Sequence, residues 1–181
     1  DLKILNIGRL TYQKDHMTLL RSLKLLKESA IKFKAIIIGG GYNYDILSEF
    51  IRTHQLQKEI KLLGYKKNAH KFMNKANLFI LSSKYEGLPN VLIEAQKHNL
   101  PIISTNCPTG PKEILLNGKL GELYPVSDHK KLFHKIKNFY LNQKYLIRKS
   151  NLSQKYLYRF NTKTNCIKYL KIIKKYIQLN K

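Results

Sequence analysis

The 181-residue sequence predicts an α/β fold: a parallel sheet of about six strands flanked by helices, with a helical C-terminal region. Three observations predict it. Short apolar runs ending in or near glycine alternate with longer segments of helical period, the pattern of repeated strand–helix units around a parallel sheet. Most of these runs are continuous in Ile, Leu, Val or Phe, as strands covered by helices on both faces must be. After Asp128 the strand signal stops and the chain reads as helix to its end, with no Gly- or Pro-rich linker to mark a second domain.

Taken in order, Lys3–Gly8 reads as the first strand, and Asp15–Ser29 as a helix with Leu19, Leu20, Leu23 and Leu26 on one face. Lys34–Gly39 is the second strand, followed by a helix over Tyr44–His54. Strands at Ile60–Gly64 and Asn77–Leu81 precede a helix over Pro89–His98, and Pro101–Ser104 and Leu120–Tyr124 complete the six. No internal repeat interrupts the order. A length of 181 residues at 43% hydrophobic suits one domain over residues 1–181 with a sizeable core.

Composition narrows the class. No apolar run approaches the roughly 18–20 residues that cross a bilayer, and Asp1 to Gly8 reads as a core strand where a signal peptide would be basic and then apolar. The expected home is the cytoplasm. Cys107 and Cys166 lie far apart, with no CxxC pair and no histidine at zinc-ligand spacing, so neither a disulfide framework nor a metal site is expected. His70, His98, His129 and the other histidines read as surface residues. The net charge of +23 is uneven, with +14 of it between residues 127 and 181. Such a field favours nucleic acid, phosphorylated ligands or an anionic membrane surface, although lysines that merely solvate helix faces give the same count.

In open sheets of this kind ligands sit beyond the carboxyl ends of the strands, so the residues just after each strand carry the site. The first strand ends in Gly8-Arg9-Leu10, with Lys14 five residues after Arg9. A glycine turn with two fixed cations suits a pyrophosphate, Arg as a planar fork and Lys as a compact charge. Gly39-Gly40-Gly41 ends the second strand and lets a backbone pass close to a ligand, or simply turn tightly without one. It lacks the full dinucleotide fingerprint, which argues against a nicotinamide or flavin site. After the fourth strand, Pro89 suits the first turn of a helix, so the N–H groups around Leu88 to Val91 point out of the helix start as an anion site. Glu86 before this helix and Glu94 on it are carboxylates suited to sugar hydroxyls, unless both are plain surface acids.

The stretch YEGLPNVLIEAQKHNLPIIST resembles the signature of family 4 glycosyltransferases, with its two glutamates in an EG-x-P-x-x-x-x-E-A pattern. GRLTYQK is similar to that family's GR-L-x-x-x-K diphosphate segment, IIIGGG to its second strand and glycine loop, and CPTGPKEIL to the loop and helix after the next strand. The matches run in order from Leu5 to about Pro125.

The resemblance implies the GT-B architecture, two Rossmann-like domains with the active site between them, of which this chain resembles the second. The N-terminal acceptor domain then lies outside it. The family transfers a sugar from a nucleotide-diphosphate donor with retention of configuration, using no catalytic metal or cofactor. The donor is a substrate, a UDP-sugar in preference to a GDP-sugar, and the acceptor belongs to surface polysaccharide, lipopolysaccharide or glycolipid synthesis. By this carry-over Arg9 and Lys14 hold the diphosphate and Glu86 contacts the donor sugar near the reacting carbon. Glu94 takes the ribose hydroxyls, and Gly8, Gly40, Gly87, Leu88, Pro89, Asn90 and Val91 form the donor-binding turns. Tyr65 and Lys66 fall where the base binds. The isolated domain is expected to bind donor without completing transfer. A non-catalytic donor-binding module remains an alternative. A nucleic-acid-binding domain is a weaker one, because the aromatic residues do not interleave with the basic ones in a recognition motif.

The C-terminal segment stands apart from the resemblance. Over Cys166–Leu179, Cys166, Tyr169, Leu170, Ile173, Tyr176 and Ile177 share one helical face, with Lys168, Lys171, Lys174 and Lys175 mostly on the other. Either the apolar stripe is buried on this domain or on the N-terminal half, or the helix attaches weakly to the anionic inner face of the cytoplasmic membrane.

Overall fold

A computed structural model describes residues 1–179. Its six strands are β1 (Leu2–Ile7), β2 (Phe33–Ile38), β3 (Ile60–Leu62), β4 (Leu78–Leu81), β5 (Ile102–Thr105) and β6 (Glu122–Tyr124). They form one parallel sheet in the order β3-β2-β1-β4-β5-β6. The helices are α1 (His16–Glu28), α2 (Tyr44–Thr53), α3 (Asn90–Lys97), α4 (Pro111–Ile114), α5 (His129–Leu141), α6 (Gln143–Gln154) and α7 (Thr162–Leu179). The predicted fold class and all six strands are present, with ends shifted by one or two residues where the flanking glycines leave the ladder.

Two apolar cores lie on the two faces of the sheet. One joins Leu19, Leu20, Leu23 and Leu26 of α1 to Leu47 of α2, Leu132 and Ile136 of α5, and Ile4, Ile37 and Ile80 of the strands. The other joins Leu92, Ile93 and Ala95 of α3 to Leu5, Phe79, Leu81 and Ile102. The leucine stripe of α1 is fully buried, as its spacing demands.

The C-terminal helices differ in how they are held. Glu122 at the start of β6 accepts from Lys135 of α5 (2.5 Å), Lys149 of α6 (2.5 Å) and the Tyr145 hydroxyl (2.7 Å), so one carboxylate fastens both helices to the sheet. Burial alone would raise its pKa, but these three donors together hold it below the usual value. A lowered carboxylate pKa stabilises the fold above the unfolded value, and that contribution is lost as pH falls through the folded one. Glu122→Gln is therefore expected to destabilise by about 1–3 kcal/mol at pH 7. In urea titrations its deficit relative to the parent should shrink as the pH is brought down through the carboxylate range.

By contrast, α7 has no cover. Every described side chain from Cys166 to Gln178 is exposed, Leu170, Ile173 and Ile177 each by more than half. The reading in which the apolar stripe is buried on this domain is thereby corrected: α5 already packs on the sheet at β5 and β6, and α6 packs on α5 and α3. No helix among the described residues is long and apolar enough to cross a membrane.

Candidate functional site

The strand order reverses between β1 and β4, which pair through Ile4–Leu78 and Leu5–Phe79. The crevice beyond their carboxyl ends is the switch point where open α/β sheets bind ligands. The loop after β1 carries Gly8, Arg9 and Lys14, and the loop after β4 carries Glu86 and Gly87.

These two loops are zipped together. The Ser82 hydroxyl donates to the Lys14 carbonyl (2.7 Å), the Lys84 amide to the Gln13 carbonyl (2.8 Å), and Gln13 Nε2 to the Tyr85 carbonyl (3.0 Å). The Lys84 ammonium sits 3.5 Å from the centre of the Tyr12 ring. Held this way, Lys14 Nζ lies 2.5 Å from Glu86 Oε1, with the two side chains only 17% and 6% exposed. The Ser83 hydroxyl donates to the same oxygen at 2.5 Å. Oε2 accepts no hydrogen bond among the described residues, and the guanidinium of Arg9, exposed on the loop that carries Lys14, has no partner among them either. The site thus presents one neutralised Lys–Glu pair, one uncommitted carboxylate oxygen and one uncommitted guanidinium.

In the glycine run, the close approach is between two stretches of backbone. Gly39 and Gly41 both have φ of +155°, and a Cβ on them would stand 1.9 Å from the Gly8 carbonyl oxygen and 2.4 Å from that of Leu10. Their close approach is to the segment that carries Arg9, which they brace through Leu10 N to Gly40 O (2.9 Å) and Asn43 N to Leu10 O (3.0 Å). Gly40 itself is exposed, and a Cβ on it would stand 3.9 Å from the Tyr65 Cβ. Tyr65 and Lys66 are both exposed beyond β3.

Gly87, Leu88 and Asn90 are exposed and Pro89 is buried. Pro89 is the N-cap of α3, with φ −72° and ψ 90°, and not a first-turn residue as expected. Its extended ψ starts the helix one residue later, the Leu92 amide donates to its carbonyl (2.9 Å), and no side chain caps the end, so the amides ahead of Leu92 can meet an anion. Glu94 lies one turn along α3, exposed, in an open recess of about 400 Å³ shared with Lys67, His70 and His98.

Three neighbouring residues had no role in the sequence reading, and a fourth was misread. Ser83 fixes the Glu86 carboxylate, and Thr109 donates to the Glu86 carbonyl. Gly110 has φ of +88° and packs on Gly87 and Pro89. His16, which was expected at the surface with the other histidines, is 2% exposed with neither ring nitrogen hydrogen-bonded among the described residues. Burial lowers its pKa to about 4, a shift opposed by Asp15 and reinforced by Lys14. The signal was available, since His16 lies three, four and seven residues before Leu19, Leu20 and Leu23 on the buried face of α1.

Against known proteins, residues 1–156 match the family model for glycosyl transferases group 1. The chain belongs to this family. A glycosyltransferase of Methanocaldococcus jannaschii is 50% identical over 111 residues, 61% of this chain and 27% of that protein. The N-acetylgalactosamine-N,N'-diacetylbacillosaminyl-diphospho-undecaprenol 4-alpha-N-acetylgalactosaminyltransferase of Campylobacter jejuni is 32% identical over 137 residues, 76% of this chain and 37% of that one. The chain thus spans about a third of the length of such group 1 relatives. Among solved structures, Staphylococcus aureus TarM in a complex containing UDP superposes with a TM-score of 0.87 at 21% identity, covering 93% of this chain and 34% of TarM. Anabaena HepE with UDP gives 0.87 at 19%, covering 97% and 49%. At these identities the group 1 domain shares their GT-B fold.

Proposed function

We propose that this domain binds a nucleotide-diphosphate sugar at the β1–β4 switch point and supplies the donor half of a retaining, family 4 hexosyltransferase acting in surface polysaccharide or glycolipid synthesis. The observation that carries the reading is the Lys14–Glu86 pair, joined to the loop of the uncommitted Arg9 and to the uncapped start of α3. A diphosphate accepts from guanidinium, ammonium and helix-start amides together, and Glu86 Oε2 is left to accept from a sugar hydroxyl. As the bond from the anomeric carbon to the diphosphate oxygen breaks, the negative charge gathers on the phosphate, where the two cations stand. Glu94 suits the ribose hydroxyls, and Tyr65 with Lys66 the base. UDP is the favoured nucleotide over GDP, since two solved relatives of the fold were crystallised with UDP.

Calorimetry and thermal shift with UDP and GDP test this. UDP is expected to bind and to raise Tm, by about 2.7 kcal/mol of stabilisation at a hundredfold excess over Kd. Arg9→Ala or Lys14→Ala removes most of it; parental binding by both variants would reject the site.

On this reading the acceptor sits in a second domain outside these residues, and the isolated domain is expected to transfer no sugar, because transfer needs an acceptor oriented by that other domain. Efficient acceptor glycosylation by residues 1–181 alone would contradict this. The exposed apolar face of α7 is offered to that second domain, and its lysine face to an anionic membrane, each lysine near the surface contributing about 1 kcal/mol at most. Sedimentation with anionic liposomes should fall with salt and on changing Lys168, Lys171, Lys174 and Lys175 to Gln; binding indifferent to both rejects the membrane contact.

A further inference from the structure

Glu86 to Pro89 carries most of the proposed site, yet it is neither helix nor strand. What holds its backbone comes from another loop, residues 106–110 between β5 and α4. That loop is anchored at both ends. The Asn106 amide donates to the Tyr124 carbonyl of β6 (2.7 Å), and the Ile114 amide of α4 donates to the Gly110 carbonyl (2.9 Å). Within it the buried Cys107 thiol donates to the Thr109 carbonyl at 3.6 Å. From this base the Thr109 hydroxyl reaches across and donates to the Glu86 carbonyl.

The next residue explains how it gets so close. Gly110 has φ of +88°, and a Cβ there would stand 2.3 Å from the Gly87 carbonyl oxygen and 2.5 Å from Pro89 Cδ. Only a residue without a side chain brings the two loops into this contact. A carbonyl fixed at Glu86 fixes the Glu86–Gly87 peptide plane. The direction of the Glu86 side chain on one side of that plane, and of the Gly87 amide on the other, is then set before any ligand arrives.

We infer that Thr109 is a positioning residue: its hydroxyl, held by the 106–110 loop, orients the Glu86–Val91 turn for the donor. The inference rests on the reading of this turn as a donor site, but Thr109 touches neither phosphate nor sugar in it. Ser83 holds the Glu86 carboxylate and Thr109 its main chain, so the two act on different atoms of one residue.

The test compares Thr109→Val, which keeps the β-branched shape and loses the donor, with Thr109→Ser, which keeps the donor. Two quantities are measured on the 181-residue chain: amide hydrogen exchange of residues 86–91 without ligand, and UDP affinity by calorimetry. T109V is expected to speed exchange in the turn and to weaken UDP about three- to tenfold, the range of one lost hydrogen bond. T109S is expected to restore both. Should T109V fail to fold, T109A removes the same donor. Parental exchange in T109V overturns the proposal. So does faster exchange with unchanged UDP affinity, which makes the hydroxyl a structural tether only, and so does failure of T109S to rescue. If the parent itself binds neither UDP nor GDP, the donor-site reading fails, and the positioning of a donor fails with it. The exchange arm then still reports whether Thr109 orders the turn.

Discussion

Glu86→Gln, in a full-length protein that carries this domain, is expected on the proposed function to lower the release of UDP from a UDP-sugar by about a hundredfold or more, the scale of losing one group that stabilises developing charge. Binding of UDP itself is expected to persist or tighten. The reason lies in the free site, where Lys14 is held at 2.5 Å by Glu86 with both side chains largely out of water. A diphosphate must draw the ammonium away from this carboxylate, so part of its attraction to Lys14 is already taken. On the proposed reading the amide of Gln releases the lysine to the phosphate while removing the anionic oxygen meant for the sugar. Lys14→Ala does the reverse, weakening UDP and leaving Glu86 as a nearly buried anion held by Ser83 alone. Initial rates of UDP release and calorimetric affinities for the two variants separate these outcomes. A parallel loss of UDP binding in Glu86→Gln would mean that Glu86 maintains the turn and does not meet the sugar.

His16 gives the second large effect, on stability. Its pKa falls from 6.5 to about 4 because burial disfavours the imidazolium, with the adjacent Lys14 adding to the shift and Asp15 opposing it. An unfolded chain takes up a proton near pH 6.5, whereas the folded protein does so only near pH 4. The unfolded state therefore binds more protons across this window, and stability rises with pH through it. The stabilisation is complete above pH 6.5 and is lost as pH falls to about 4, by roughly 3 kcal/mol in all at 1.36 kcal/mol per unit. His16→Leu, which suits the same apolar surroundings, should flatten the fall in Tm between pH 7 and pH 4.5. An equally steep fall in that variant would show that the pH dependence belongs to other groups.

What the sequence disclosed, it disclosed through local period. Apolar runs such as Ala35–Ile38 and Leu78–Leu81, bounded by turn residues, read as strands covered on both faces, and the Leu19 to Leu26 stripe as a helix face turned to the core. The residue types of the site were legible for the same reason, since Arg9, Lys14 and Glu86 sit directly after strands. Their arrangement was not. Lys14 and Glu86 are 72 residues apart, and nothing local says that they pair. Thr109 and Gly110 matched a segment without a stated role, because their work is done across a loop-to-loop contact that no period encodes. The glycines at 39 and 41 signalled a close approach but not its partner, for a missing Cβ does not say whether a ligand or a neighbouring backbone fills the space.

The sheet ends in two very short strands, β3 and β6, of three residues each. An outermost strand is where a second molecule adds its own strand, and three residues offer little ladder to extend. Fibrillar stacking of this domain through its sheet margins is thereby discouraged. Self-association at high concentration is instead expected to run through the greasy stripe of α7 and to vanish when residues 162–181 are removed.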